Sequence, residues 1–197
     1  RSTFFFRTFY ENGDVLDYED DIKQLQKSNW EIGLHTDPSS IDDLDKIRLE
    51  KEKLESITGK QIIGNRVHFL NYNPELPNKL EKLGFNYDSS LRHSKDRIDE
   101  KEMGYSRIHG IIEFPVTLMD AYLFTYMKIR EEKIISEFQK TLDLGRSLSE
   151  NNVISVIWHE NVLKMKGGRV YKQILEFLTS QDDVEIKRGI DLVKILK

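Results

Sequence analysis

Trp30-Glu31-Ile32-Gly33-Leu34-His35-Thr36 is the stretch on which the fold turns. A short apolar run bounded by polar residues reads as a buried strand, and this one ends in an imidazole and a hydroxyl. On either side the apolar period changes. Before it, Tyr18–Ser28 places Ile22 and Leu25 at helical spacing among Asp, Lys and Gln. After it, Ser40–Thr58 carries Ile41, Leu44, Ile47, Leu54 and Ile57 at helical or heptad-like spacing, opens on Ser40 and Asp42-Asp43, and stops at Gly59. A strand between two helices is the repeating unit of a parallel sheet, because a parallel crossover needs a dozen or more residues and a helix supplies them.

The same rhythm extends outward. Thr3–Phe9 is a continuous apolar and aromatic run and reads as a central strand covered on both faces. Downstream, Ile62-Ile63 predicts a short strand, Pro74–Leu83 a helix ended by Gly84, and Phe85–Ser89 another strand. Arg92–Arg107 is dense in charge without apolar periodicity and predicts a loop or lid. Ile111–Met119 then reads as a strand, Glu131–Leu148 as an amphipathic helix, Val153–His159 as a buried strand and Val170–Leu178 as a helix, with a last strand and short helix in Glu185–Lys197. The class is α/β, and 197 residues suit a single domain.

Composition narrows the function classes. Hydrophobic residues at 38%, with eight Tyr and ten Phe, are too apolar and aromatic for a disordered chain. A formal charge of -4 supplies no net positive field, which disfavours nucleic acid and anionic membranes as partners. The absence of Cys removes disulfides, thiolate catalysis and Cys-based metal sites, so any metal must be held by His, Asp, Glu or water. No window has the ~20 apolar residues of a membrane span. Read as written the chain is expected to be soluble and cytoplasmic, conditional on what precedes Arg1, since a free chain seldom begins inside a strand and an upstream segment is expected.

In parallel α/β folds chemistry gathers at the carboxyl ends of strands. Four of the predicted strands end in polar groups: His35-Thr36-Asp37, Asn65-Arg66-Val67-His68, Asp88-Ser89-Ser90 and His159-Glu160-Asn161. Each has a plain structural reading as well: a hydrogen-bonded core histidine, a surface ion pair, a turn cap. His35 and His159 taken together point to function, and Arg66 beside them points to an orienting role. Trp158, an aromatic at a strand end, reads first as core. His93 and His109 are expected to be solvated.

In order and spacing these segments, together with Ser2-Thr3-Phe4-Phe5-Phe6, Gly64-Asn65-Arg66, Tyr87-Asp88-Ser89-Ser90 and Ile157-Trp158-His159, resemble the polysaccharide deacetylases of the NodB-homology type, carbohydrate esterase family four. The resemblance implies a distorted (β/α) barrel, here without its first strand and helix, and with an open seam beside Thr3–Phe9. It implies a divalent metal, usually zinc, and hydrolysis of an N-acetyl amide on a sugar. His35 matches the first metal ligand, Ser39 stands where the second His belongs, and His68 is the next candidate ligand. Arg66 matches the arginine that positions the catalytic base, His159 the general acid, and Asp88 and Ser90 the Asp-x-Ser motif. Asp88 is expected to hold the His159 imidazole, Ser90 to support the Asp88 loop, and Trp158 to contact substrate. The family's Asp-Asp pair, supplying base and ligand, would precede the Thr3–Phe9 strand. Three readings follow: a deacetylase, a non-catalytic glycan-binding relative, and a structural or interaction module.

Overall fold

The computed structural model describes residues 1–10, 13–148 and 152–196. The chain is α/β, with a parallel sheet covered by helices, and it divides into two compact units that interleave along the sequence. The first unit comprises residues 1–90, 106–113 and 187–197; the second comprises 91–105 and 114–186.

The first unit holds β1 (Thr3–Phe6), a small ribbon of β2 (Phe9–Tyr10) and β3 (Gly13–Asp14), α1 (Glu19–Lys27), β4 (Glu31–Thr36), α2 (Leu44–Thr58), β5 (Gly64–Val67), α3 (Leu76–Lys82) and β6 (Tyr87–Asp88). β7 (Ser106–Ile108) and β8 (Ile111–Glu113) belong to it as well. Its six-stranded sheet runs β1-β4-β5-β6-β8-β7, parallel except for the antiparallel β7. The predicted heart of the sheet lies where the sequence put it: α2 starts at Asp43, whose carboxylate caps Asp45 and Lys46, and stops at Gly59 in the left-handed region. Ile22, Leu34, Ile47, Leu54, Val67, Leu76, Leu80 and Ile111 form one buried core between helices and sheet.

Several expected boundaries move. Thr3–Phe9 is not a central strand: β1 ends at Phe6 and stands at the edge of the sheet, with Phe4 37% exposed. Its aromatic run serves ring packing, Phe4 edge-on to Trp30 and Phe5 edge-on to Tyr87, instead of burial on both faces. Ile62-Ile63 precedes its strand, because the Ile62 N–H is taken by the Glu55 carboxylate and pairing begins at Gly64. Ile111–Met119 is two strands in two units, broken at Phe114-Pro115, where proline has no N–H for a ladder. Glu185–Lys197 contains no strand among its described residues; it forms α6 (Gly189–Leu196), whose first N–H groups donate to Thr3 and Glu31.

Tyr87 lies against Gly64, where a Cβ would meet its ring carbon and hydroxyl at 2.2 Å. The ring cannot retreat, since its hydroxyl donates to Glu31 and only 2% of the residue is exposed. Gly64→Ala is therefore expected to cost about 3 kcal/mol, the upper end of overpacking losses, and urea unfolding of the variant checks it.

The second unit is built on the parallel pair β9 (Val116–Met119) and β10 (Ser155–Ile157), with α4 (Ile134–Leu148) and α5 (Lys166–Thr179). Leu118, Leu123, Ile134, Phe138, Val170 and Ile174 are its core. The charged stretch after Arg92 is not a free loop. Glu102, wholly buried, accepts from the N–H groups of His93 and Ser94 and pairs with Arg92 at 3.3 Å. Arg92 in turn donates to the Val116 and Thr117 carbonyls of β9. Isolated charges would solvate this segment; a buried ion pair with its hydrogen bonds filled pins it. From Ser106 the chain leaves for β7. No helix among the described residues is long and apolar enough to cross a membrane.

Candidate active site

The polar residues at the strand ends fall into two sets, one in each unit. In the first unit, His35 near the end of β4 turns its Nδ1 to the Arg66 carbonyl at 2.8 Å. A carbonyl only accepts, so Nδ1 carries a proton, and in the neutral ring the lone pair lies on Nε2, the arrangement found in metal-binding imidazoles. The His68 ring stands edge-on to His35, centroids 5.1 Å apart at 81°. Behind His68, Phe69 and Leu70 both adopt φ near +60°, a conformation that costs side-chain-bearing residues about 1–3 kcal/mol each and collects at functional sites.

Asp37 is committed elsewhere. It accepts from Arg7 at 2.6 Å and from the N–H and hydroxyl of Ser39 at 2.9 and 2.7 Å. Burial pushes its carboxyl up, and these bonds outweigh it, holding Asp37 below the ordinary value. Ser39, at the second-ligand position, thus serves as a turn partner. Among the described residues no group of three or more His, Asp or Glu gathers as a metal site. Two imidazoles with one oriented lone pair fit part of a zinc shell, which normally takes three protein ligands and a water.

Arg66 stacks over Phe5, 4.4 Å from the ring centroid, and donates to the carbonyl and hydroxyl of Ser89 at 3.0 and 2.8 Å. Burial lowers its guanidinium to about 10, against the upward pull of Tyr87, Asp88 and Glu113. Beside it, Asn65, Asp88 and Glu113 form one row across β5, β6 and β8, and Thr36 of β4, paired with Val67, joins the row through its side chain; all four are wholly buried. Thr36 donates to Asn65 at 2.5 Å and Asn65 to Asp88 at 2.8 Å. Burial pushes Asp88 above its ordinary value, while hydrogen bonds from Ser90, Glu113 and Asn65 pull it back. Two carboxyl groups can hydrogen-bond only when a proton lies between them.

That direction fixes a pH dependence. The fold favours the protonated Asp88, so its stabilising contribution is complete below 3.8 and is lost as pH rises through the higher folded value. Asp88→Asn cannot ionise, and its melting temperature relative to the native chain is expected to rise between pH 4 and pH 8. A difference that stays flat or falls would refute this.

In the second unit the imidazole of His159, beyond β10, meets Asp120, beyond β9. Asp120 accepts from the His159 N–H at 2.6 Å, from His159 Nδ1 at 2.7 Å and from the Ala121 N–H at 2.6 Å. The carboxylate is wholly buried, while the imidazole keeps 36% of its side-chain surface. This corrects one expectation: the carboxylate that orients His159 is Asp120, and Asp88 belongs to the buried row. Asp120 was legible, since it ends the predicted Ile111–Met119 strand and the strand-end rule flags it. Glu113 was hidden inside that same predicted strand. Trp158 is partly buried in the core of this unit, among Phe124, Phe138 and Tyr171. His93 and His109 are exposed, as expected.

No family model matches the sequence, and no curated protein matches it significantly. Solved structures do. A Mycobacterium smegmatis protein provisionally described as a polysaccharide deacetylase superimposes with a TM-score of 0.74 over 98% of this chain and 70% of its own, at 18% identity. A Pseudomonas aeruginosa PAO1 protein of the same provisional description gives 0.70 over 91% of this chain and 63% of its own, at 16% identity. The chain has the polysaccharide deacetylase fold. It spans 63–70% of these two relatives. The deacetylase fold is not tied to one reaction: Puue allantoinase matches at a TM-score of 0.70, 16% identity, 92% of this chain and 63% of its own. Function has to be argued from the residues that the deacetylase fold carries here.

Proposed function

We propose that this chain belongs to a metal-dependent hydrolase that removes an N-acetyl group from a sugar or a related acylated amide. The observation that carries the reading is the Asp120–His159 pair: a half-exposed imidazole, its tautomer set by a buried carboxylate, is built to move a proton. Amide hydrolysis needs that proton, because an amine leaves only as the neutral species.

The roles follow residue by residue. His159 gives a proton to the departing amine through Nε2, and Asp120 stabilises the imidazolium that precedes the transfer. Arg66, fixed by Ser89 and Phe5, orients the carboxylate that takes a proton from water. His35, through Nε2, and His68 would hold a divalent metal, zinc in the first instance, which acidifies water and polarises the carbonyl when bound. Asp88 and Ser90 hold the turn that carries Ser89. Trp158 supports the neighbouring His159 from the core more than it offers a sugar-stacking face.

Acetate release from N-acetylated oligosaccharides, with and without added zinc, tests the reaction. An intact protein that binds these sugars without releasing acetate would move the reading to a glycan-binding relative. Zinc titrated calorimetrically into this chain alone is expected to bind weakly and to lose that binding in His35→Ala. Tight, stoichiometric binding that survives His35→Ala would make His35 structural.

A further inference from the structure

The buried row ends in a carboxyl group to which neither the proposed chemistry nor the resemblance assigns a part. Glu113 is wholly buried and faces Asp88 across the β6–β8 register. Its Oε1 accepts the Ser90 N–H at 3.2 Å. Asp88 accepts the Ser90 hydroxyl at 2.8 Å. The Ser90 hydroxyl oxygen accepts the Val67 N–H at 2.8 Å, which ties the same turn to the end of β5. The Ser90 N–H therefore hangs from Glu113 and its hydroxyl from Asp88, while the Ser89 N–H donates to the Asn65 carbonyl of β5 at 3.0 Å. The carbonyl and hydroxyl of Ser89, on the other side of that turn, grip Arg66.

We propose that Glu113 is a positioning residue: together with Asp88 it holds the Ser89-Ser90 turn where Ser89 can fix the Arg66 guanidinium. A carboxylate facing a carboxyl would be a poor choice if the site needed only filling, since a leucine fills the same space without desolvating a polar group. What the pair supplies is direction. Two acceptors, Glu113 for the Ser90 N–H and Asp88 for its hydroxyl, specify one arrangement of the turn, and a misplacement of about 1 Å in an orienting group can cost about 10²-fold in rate. The catalytic consequence rests on the reading in which Arg66 orients a base; the geometric claim does not.

The test reads Arg66 directly. In the intact protein, the Arg66 Nε–H nitrogen–proton NMR signal, assigned with Arg66→Lys, should be shifted by the Phe5 ring and protected by its bond to Ser89. Glu113→Gln keeps both contacts, its amide donating to Asp88 and its oxygen accepting from Ser90, and should preserve that signal. Glu113→Ala should abolish its protection and, where acetate release is measurable, lower kcat by about 10²-fold with KM little changed. Should Glu113→Ala not fold, Ser90→Ala, which cuts the turn from Asp88 and Val67, takes its place with the same expectation. A folded Ala variant with an unmoved Arg66 signal overturns the proposal, as does a Gln variant that behaves like Ala. A native protein without activity whose Arg66 signal follows this pattern would refute the deacetylase reading and leave the positioning role standing.

Discussion

His159→Ala should lower turnover of an N-acetylated sugar by about 10²–10⁴-fold, the usual loss on removing a general acid, equivalent to about 3–5 kcal/mol of transition-state stabilisation. The loss should appear in kcat, because the proton is passed only as the carbon–nitrogen bond breaks. Stability should barely move. Asp120 keeps two main-chain partners in the variant, the N–H groups of residue 159 and Ala121, so no buried carboxylate is stranded. Asp120→Asn should fall in the same range for a different reason, since an amide no longer fixes the Nδ1 proton or supports an imidazolium. Rates and melting curves on both variants decide the matter: activity lost in proportion to folded protein would make the pair structural.

The second large effect concerns stability alone. Glu102→Ala should destabilise the chain by about 3–5 kcal/mol, because it leaves Arg92 charged and buried without its partner and strands the N–H groups of His93 and Ser94. For a chain of this size each kcal/mol is worth roughly 2–4 °C, so the melting temperature should drop by about 6–20 °C. Glu102→Gln should lose less, since an amide oxygen still accepts from the two N–H groups. An unchanged melting temperature in the Ala variant would show that the stretch from Arg92 to Glu102 is solvated, as its charge density suggests.

That contrast shows what a sequence discloses. Periodicity found α1, β4, α2, α4 and α5 because a 3.6-residue or continuous apolar pattern reports which face is covered, and covering faces is what the core does. The strand-end rule singled out His35, Arg66 and His159, and each lies in the last residues of its strand or just beyond it, since alternation alone says where a parallel strand must release its chain. Pairings over a distance were not legible. Nothing near Arg92 in the sequence says that Glu102 will be its partner and not solvent. The choice of Asp120 over Asp88 for His159 is likewise made by tertiary packing, where two neighbouring strands end level. β1 misled because an aromatic edge strand, packed ring on ring, spells the same letters as a central one. Pro115 was the missed signal in Ile111–Met119, a residue that ends a ladder wherever it falls.

The interleaving of the two units dictates an order of assembly. α6 donates its first N–H groups to Thr3 and Glu31, across 186 and 159 residues of chain, and Arg188 reaches the Asn29 carbonyl and side chain. On the ribosome residues 1–90, and the second unit after them, are therefore made before the segment that caps the amino ends of β1 and β4. At about 5–20 residues per second the 159 residues between Glu31 and its helix take roughly 8–32 s to make. During that interval Glu31, a carboxyl group destined for burial, is without its helix. Nascent chains halted short of Lys187 should be the species that chaperones hold and proteases find.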